Sequence, residues 1–279
     1  VYKRQGYGIL STGGTLKYLH DNGIEAMDVS EYTGFQECFD GRVKTLHPKV
    51  HAGILYRREN TKDVKELKDL GAQPIDIVVN SLYPFVNTYL SDASDDEIVE
   101  KIDIGGPSMI RAAAKNFKYT NIIVDNSDFE QVIEELKERG DTKLETRMYL
   151  AKKAFNLTAN YDAWIAKYFN EKMEDEFPDL LTIPFHKEHE LRYGENPHQK
   201  AFRYNMYNGE VGGICQGKVL HGKELSFNNI YDASAAVEMV KLFYEKPAIV
   251  AVKHTNPCGV AEADTIKEAL SLIHISEPT

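Results

Sequence analysis

Between residues 7 and 126, short apolar runs alternate with segments whose apolar positions recur every three or four residues. This is the pattern of parallel strands joined by helical crossovers. Residues 7–10 predict a strand; after Ser11-Thr12-Gly13-Gly14-Thr15 a helix over 16–22 ends at Gly23. A polar-faced helix is predicted over 61–70, stopped by Gly71, with a buried strand over 75–79 and another strand over 121–124. Ser94 with Glu97, and Ser127 with Glu130, have the spacing of a capping box, the second opening a helix that runs to Arg139 before Gly140. From 146 to 172, Leu150, Ala154, Leu157, Tyr161, Trp164, Ile165 and Tyr168 share one helical stripe, which is read as core.

Residues 177–184 (FPDLLTIP) hold two of the ten prolines and no clear period, and mark a domain junction. A second unit begins near His186, with a helix over about 229–244 and a buried strand over 248–252. No internal repeat or low-complexity tract interrupts either part.

Composition narrows the class. A chain of 279 residues with 42% hydrophobic side chains can build one large core or two ordinary ones. No run of about 18 apolar residues occurs and no signal-peptide pattern opens the chain, so the expected compartment is the cytoplasm with no membrane partner. Cys38, Cys215 and Cys258 are odd in number and far apart, which argues for free thiols and against a disulfide framework or a cysteine metal site. A formal net charge of −10 argues against a nucleic-acid partner, since phosphate neutralisation needs clustered cations. The ends, VYKRQ (1–5) and LIHISEPT (272–279), resemble translated adapter sequence, so the chain is read as an internal piece of a longer reading frame with non-native tags.

Against that acidic background, residues 41–55 (GRVKTLHPKVHAGIL) gather Arg42, Lys44, His47, Lys49 and His51. Pro48 forbids a helix through the whole run, so these cations are expected on an irregular segment converging on a small anion; a solvated basic loop has the same composition. His47 and His51 have the i, i+4 spacing of a helical zinc pair, but Pro48 between them argues against it, and no metal is expected. The STGGT turn lies between strand and helix, where glycine lets backbone N–H groups approach a phosphate; a plain tight turn has the same residues. IDIGGPSMIRAAAKN (102–116) repeats the arrangement, with Asp103, Gly105-Gly106 and Pro107 at the first helical position, and Arg111 and Lys115 on one helix face, aimed at a cleft or at solvent. Tyr83 in VVNSLYPF follows a strand and is either a proton donor or an ordinary half-buried tyrosine.

In the second unit LRYGENPHQ (191–199) crowds Arg192, Tyr193, Asn196 and His198 around Gly194 and Pro197. VKHTNPCG (252–259) places Lys253 and His254 directly after a buried strand, where the lysine can favour neutral imidazole as a base; a structural histidine fits equally. Cys258 has no base placed beside it by sequence.

STGGT, GRVKTLHPKVHAGIL, LYPF, IDIGG with RAAAKN, LRYGENPHQ and VKHTNPCG, in this order from Gly6 to about Leu270, resemble the bifunctional purine biosynthesis family that joins aminoimidazole carboxamide ribonucleotide transformylase to IMP cyclohydrolase. The resemblance implies an α/β chain: a methylglyoxal-synthase-like parallel-sheet domain over 6–183, lacking its first strand and helix, then the truncated start of a cytidine-deaminase-like α/β formyltransferase domain over 184–271. It implies that Thr12, Gly13, Gly14, Thr15, Arg42 and Thr45 hold the 5′-phosphate of a purine ribonucleotide. Lys44, Tyr83, Asp103 and Lys115 would surround the closing ring, with no cofactor. Lys253 and His254 would be the catalytic pair of formyl transfer from formyl-tetrahydrofolate, and Arg192, Tyr193, Asn229 and Asp232 would line the ribonucleotide pocket, in sites formed across a homodimer. Where the family pattern has asparagine before Leu82, this chain has Ser81.

Two other readings share the fold: a nucleotide-sensing regulatory module, and a methylglyoxal synthase. A sensor needs phosphate ligands but not Lys44, Asp103 and Lys115, and neither alternative calls for LRYGENPHQ and VKHTNPCG downstream.

Overall fold

Strand Leu10–Ser11 (β1) runs into helix Gly13–Asp21 (α1), which returns the chain so that Met27–Asp28 (β2) lies parallel to β1, Leu10 opposite Met27. The computed structural model describes residues 7–206, 213–214 and 217–273, in two compact units, Val1–Ile183 and Pro184–Thr279. Helix Val29–Thr33 (α2) follows, capped by Asp28, and then Pro48–Leu55 (α3) and Thr61–Asp69 (α4). Strand Ile77–Val79 (β3) leads through Phe85–Tyr89 (α5), Asp95–Glu100 (α6) and Gly105–Lys115 (α7) to Asn121–Ile123 (β4), parallel to β3 with Val78 opposite Ile122. Phe129–Arg139 (α8) and the 29-residue Leu144–Lys172 (α9) complete the unit. The expected parallel α/β pattern is present as two parallel pairs, β1–β2 and β3–β4, each closed by helical crossovers.

Several boundaries differ from the sequence reading for local reasons. The 41–55 segment is irregular only up to His47. Pro48 takes the first position of α3, where its missing N–H costs nothing, and His47 Nδ1 accepts from the Lys49 N–H at 3.2 Å, so His51 is helical. Helix α7 begins two residues before Pro107, because the Asp103 carboxylate accepts the Gly106 N–H at 2.7 Å and serves the open helix start. Ser94 and Glu97 do form the capping box of α6. Ser127 and Glu130 do not: the Ser127 N–H and hydroxyl both donate to Asp125, whose carboxylate is held by Lys153, and a single 3₁₀ turn at Asn126–Asp128 precedes α8.

Two apolar clusters hold the first unit. Ile54, Val78, Ile110, Ala113, Ile122, Ile123, Val132, Leu150 and Ala154 form one, joining α3, α7, α8 and both later strands. Phe85, Ile98, Tyr161, Trp164 and Tyr168 form the other, beneath α5 and α6. Helix α9 enters both, so the stripe read as core is core along its whole length. Each large side chain fully buried there contributes about 1.5–3 kcal/mol. Asn116 is buried and its side-chain amide donates to the Ile54 and Tyr56 carbonyls at 2.7 and 3.0 Å, closing the end of α3.

The second unit is made of antiparallel hairpins. His186–Leu191 (β5) pairs with Ala201–Asn205 (β6), and Ala248–Lys253 (β7) with Asn256–Glu262 (β8), around Phe227–Val240 (α10) and Ile266–Ile273 (α11). Strand β7, expected buried, is only half-buried. Leu272 and Ile273 lie in α11; the rest of that expected tag, the tag at 1–5, and Cys215 lie outside the described residues. No helix among the described residues is long and apolar enough to cross a membrane.

Gly53 in α3 packs so closely that a Cβ would sit 2.4 Å from the Gln73 carbonyl oxygen. Gly53→Ala is therefore expected to destabilise the first unit by about 1–3 kcal/mol, read as a lower urea midpoint with an unchanged slope.

Candidate active site

Thr12 is the residue before α1 and has extended backbone, and Gly13 takes φ +53°; no side chain caps the helix, which leaves its first N–H groups facing outward. Opposite stands the loop before α3. Cys38 and Val43 form an antiparallel bridge, and Phe39, Asp40 and Gly41 between them all have positive φ, a tight turn that only Gly41 adopts without strain. The bridge sets Glu37 across from Lys44, and their charges meet at 3.0 Å. The lysine stem lies across Gly41, where a Cβ would fall 2.1 Å from Lys44 Cε, and Lys44 Nζ ends 3.8 Å from the position a Cβ on Gly13 would take. Asp28 faces the same place. Hydrogen bonds from the Ser30 hydroxyl and N–H, with Lys44 adding to them, hold its carboxyl below the usual range.

The next residue reaches the second glycine-rich helix start. Thr45 Oγ1 lies 2.9 Å from where a Cβ on Gly105 would be. Residues 44 and 45 thus bridge the N-termini of α1 and α7, both carrying partial positive charge. Asp103 sits beside them, one carboxylate oxygen accepting from Gly106 and the other from the Tyr83 N–H at 3.4 Å. Tyr83 is 52% exposed, its phenol open to a ligand. Arg42 pairs with Glu100 at 3.1 Å with both side chains more than half exposed, a contact weak enough for another anion to replace. The Thr12–Thr15 turn, Lys44, Thr45, Tyr83 and Asp103 are therefore linked by direct approaches. The arrangement can hold an anion and offers a carboxylate and a phenol for proton transfer.

Lys115 lies elsewhere. It ends α7, about 15 Å along the helix from Gly105 at 1.5 Å per residue. With Arg111, Lys152 and Phe155 it lines a cavity of about 880 Å³ between α3, α7 and α9, whose lining includes none of Lys44, Tyr83 and Asp103. The cleft expected for Arg111 and Lys115 exists, then, but apart from the Asp103 group. His51 borders it too; burial pushes its imidazole toward the neutral form, and its Nε2 is enclosed without a partner. No group of three or more His, Cys, Asp or Glu among the described residues gathers to hold a metal.

In the second unit, helix α10 collects both motifs. Its capping box is made by Ser226 and Asn229. Tyr193 packs at this helix start: its carbonyl accepts the Phe227 N–H at 3.1 Å, and hydrogen bonds to its phenol, first with the Ser226 hydroxyl and then from the Arg192 guanidinium at 3.3 Å, hold that phenol below its ordinary pKa. One turn on, Asp232 accepts the Thr255 N–H at 2.8 Å and so anchors the two-residue β7–β8 turn made by His254 and Thr255. Arg192, Tyr193 and Asn229 thus gather at the first turn of α10, with Asp232, His254 and Lys253 at the next. Ser226, which fixes both Asn229 and Tyr193, is not among the expected site residues; the signal that marks it is its Ser-x-x-Asn spacing before an apolar run.

A Cβ on Gly106 would lie 2.4 Å from Asp103 Oδ2. Gly106→Ala is expected to displace the carboxylate, break its charge-assisted bond to the helix start and lower stability by about 1.5–3 kcal/mol, measured by urea denaturation.

Comparison with known proteins places these sites in context. Residues 113–279 match the family model described as AICARFT/IMPCHase bienzyme, and residues 1–108 match the MGS-like domain. The chain is 54% identical over 274 residues to the bifunctional purine biosynthesis protein PurH of Thermoanaerobacter sp. (strain X514), covering 98% of this chain and 54% of that protein. It is 53% identical over 275 residues to PurH of Acetivibrio thermocellus, covering 98% and 53%, and 50% identical over 280 residues to PurH of Caldicellulosiruptor saccharolyticus, covering 99% and 54%. A solved structure titled Crystal structure of ForH superimposes with a TM-score of 0.54 at 36% identity, over 60% of this chain and 88% of that one. The chain spans about half the length of the curated relatives it matches.

Proposed function

Since the chain belongs to the AICARFT/IMPCHase bienzyme family, matched by its model over more than half of the residues, we propose that the first unit closes formamidoimidazole carboxamide ribonucleotide to IMP with loss of water. The observation that carries this reading is the placement of Lys44 and Thr45 between two glycine-rich helix starts, with Asp103 and Tyr83 alongside.

The chemistry follows from that cluster. The Thr12–Thr15 turn, Thr45 and Arg42 receive the 5′-phosphate, Arg42 exchanging Glu100 for it. The carboxamide nitrogen attacks the formyl carbon, a C–N bond forms, and negative charge grows on the formyl oxygen beside the Lys44 ammonium. Asp103 accepts the proton that the nitrogen sheds. Tyr83 gives the oxygen its first proton, making a hydroxyl, and is reprotonated from Asp103; the remaining formamide N–H proton then takes the same route, so that the C–O bond breaks, water leaves and the ring C=N forms. None of these steps needs a cofactor.

For the second unit we propose the matching half-reaction, transfer of a formyl group from formyl-tetrahydrofolate to the amine of the aminoimidazole ribonucleotide. Arg192, Tyr193, Asn229 and Asp232 line the ribonucleotide pocket, and His254, with Lys253 beside it, takes the amine proton. This reading extends to a homodimer of chains of the relatives' full length.

Incubation of the chain with the formamido ribonucleotide, without folate, should yield IMP by absorbance, and Lys44→Ala should slow it about 10²- to 10³-fold. A folded chain without turnover would overturn the proposal. Lys115 enters on the resemblance alone, so Lys115→Ala in the same assay decides its membership: a loss as deep as that of Lys44→Ala places it at the ring, and near-normal turnover removes it. In a full-length chain, His254→Gln is expected to lower formyl transfer at least 10²-fold while leaving ring closure intact; unchanged transfer would dismiss His254 as the base.

A further inference from the structure

We infer that Tyr161, on helix α9, is a positioning residue for ring closure: its hydroxyl fixes the backbone on both sides of Ile102 and thereby aims the Asp103 carboxylate. This rests on the reading of Asp103 as proton acceptor and extends it to a side chain that reads, from its spacing, as ordinary core.

The short segment between α6 and α7 carries Asp103 but belongs to neither helix, since α6 ends at Glu100 and α7 begins at Gly105. The N–H groups of Lys101 and Ile102 still bond back to Ile98 and Val99 in α6, but the Lys101 carbonyl and the Asp103 N–H lie past that helix and need partners elsewhere. The Tyr161 hydroxyl supplies two at once. It donates to the Lys101 carbonyl at 2.8 Å and accepts from the Asp103 N–H at 2.9 Å, across nearly sixty residues of sequence. A single oxygen thus clamps the backbone two residues before the carboxylate-bearing residue and at that residue itself.

The clamp is itself rigid. Tyr161 is only 5% exposed, and its ring packs edge-on against Phe85 at 6.0 Å in the cluster with Ile98, Trp164 and Tyr168. Phe85 lies two residues beyond Tyr83, whose N–H donates to Asp103. One aromatic side chain therefore touches the supports of both proposed proton-transfer groups: its ring steadies the segment of Tyr83 and its oxygen holds the segment of Asp103. Burial pushes the phenol up to about 12, so it stays a donor over the working pH range.

Asp103 needs this support because its own anchoring is local. Gly106 and Tyr83 fix the two carboxylate oxygens but not the path of the backbone that carries them. With Phe at 161 the ring still fills the cluster, while the Lys101 carbonyl and Asp103 N–H lose their partner and the segment must shift to find others. A displacement of about 1 Å in a proton-transfer group is enough for a loss approaching 10²-fold.

The test uses the chain and the formamido ribonucleotide, with kcat taken per IMP-binding site so that partial misfolding does not mimic a catalytic loss. Tyr161→Phe is expected to lower kcat about 10- to 100-fold with KM within about threefold, because the phosphate ligands are untouched. Tyr168→Phe removes a hydroxyl from the same cluster, one that bonds Asp95 instead, and should leave kcat unchanged. In an Asp103→Asn background Tyr161→Phe should cost nothing further, whereas a merely structural role would lower both backgrounds equally. Should the Phe variant fail to fold, 4-aminophenylalanine at 161, which keeps the ring and the donor to Lys101 but is a poor acceptor for Asp103, is expected to fold and still lower kcat. Normal kcat in either Tyr161 variant, or an equal loss with and without the Asp103 carboxylate, would overturn the inference. Full turnover by Asp103→Asn alone would instead remove the reading of Asp103, and this inference with it.

Discussion

Lys44 lies directly across Gly41, whose positive φ suits glycine and where a side chain would push the lysine aside, and the rest of the candidate site is arranged around that crossing. The Cys38–Val43 bridge turns the chain over within a few residues, Glu37 is brought opposite the ammonium, and the following threonine is delivered to Gly105. Neither helix start alone concentrates enough partial charge to select a ligand. Two of them, with a lysine and a threonine reaching between, turn the partial charges of two helix starts and one full charge toward the same place.

Long helix α9 gives this small geometry its permanence. Strands of two and three residues are short for independent stability, and only β4 is buried along its whole length. What fixes them is the shared floor: Leu150 and Ala154 lie under β3, β4 and α7, and Tyr161, Trp164 and Tyr168 lie under α5 and α6. The two loops that carry Tyr83 and Asp103 therefore move with one rigid body. A loop site gains the precision of a helix by being fastened to one.

How much of this was legible in the residues depended on the range of the forces involved. Helices α4, α6 and α9 followed from caps and three-four spacing, because both are local and written in neighbouring side chains. Pro48, expected to interrupt the run, instead opens α3, because proline suits a first helical position and His47 caps it. The second capping signature failed because Asp125, two residues upstream and tied to Lys153 from α9, outcompetes Glu130 for Ser127. Motif order identified the family, but not the spacing of the candidate residues. That Thr45 meets Gly105 depends on packing between segments sixty residues apart, which no local pattern encodes.

The His254–Thr255 turn shows the same economy in the second unit. Both residues occupy left-handed backbone, which glycine or asparagine would fill with ease and a β-branched threonine resists. Such strain, of order 1–3 kcal/mol per residue, persists only where neighbours over-determine it, and here Asp232 does so from a different element. The hairpin apex is thus held like a bent spring by α10: the backbone at His254 and Thr255 keeps its left-handed turn only while that helix stands behind it, so the shape of the apex and the docking of the helix are one event.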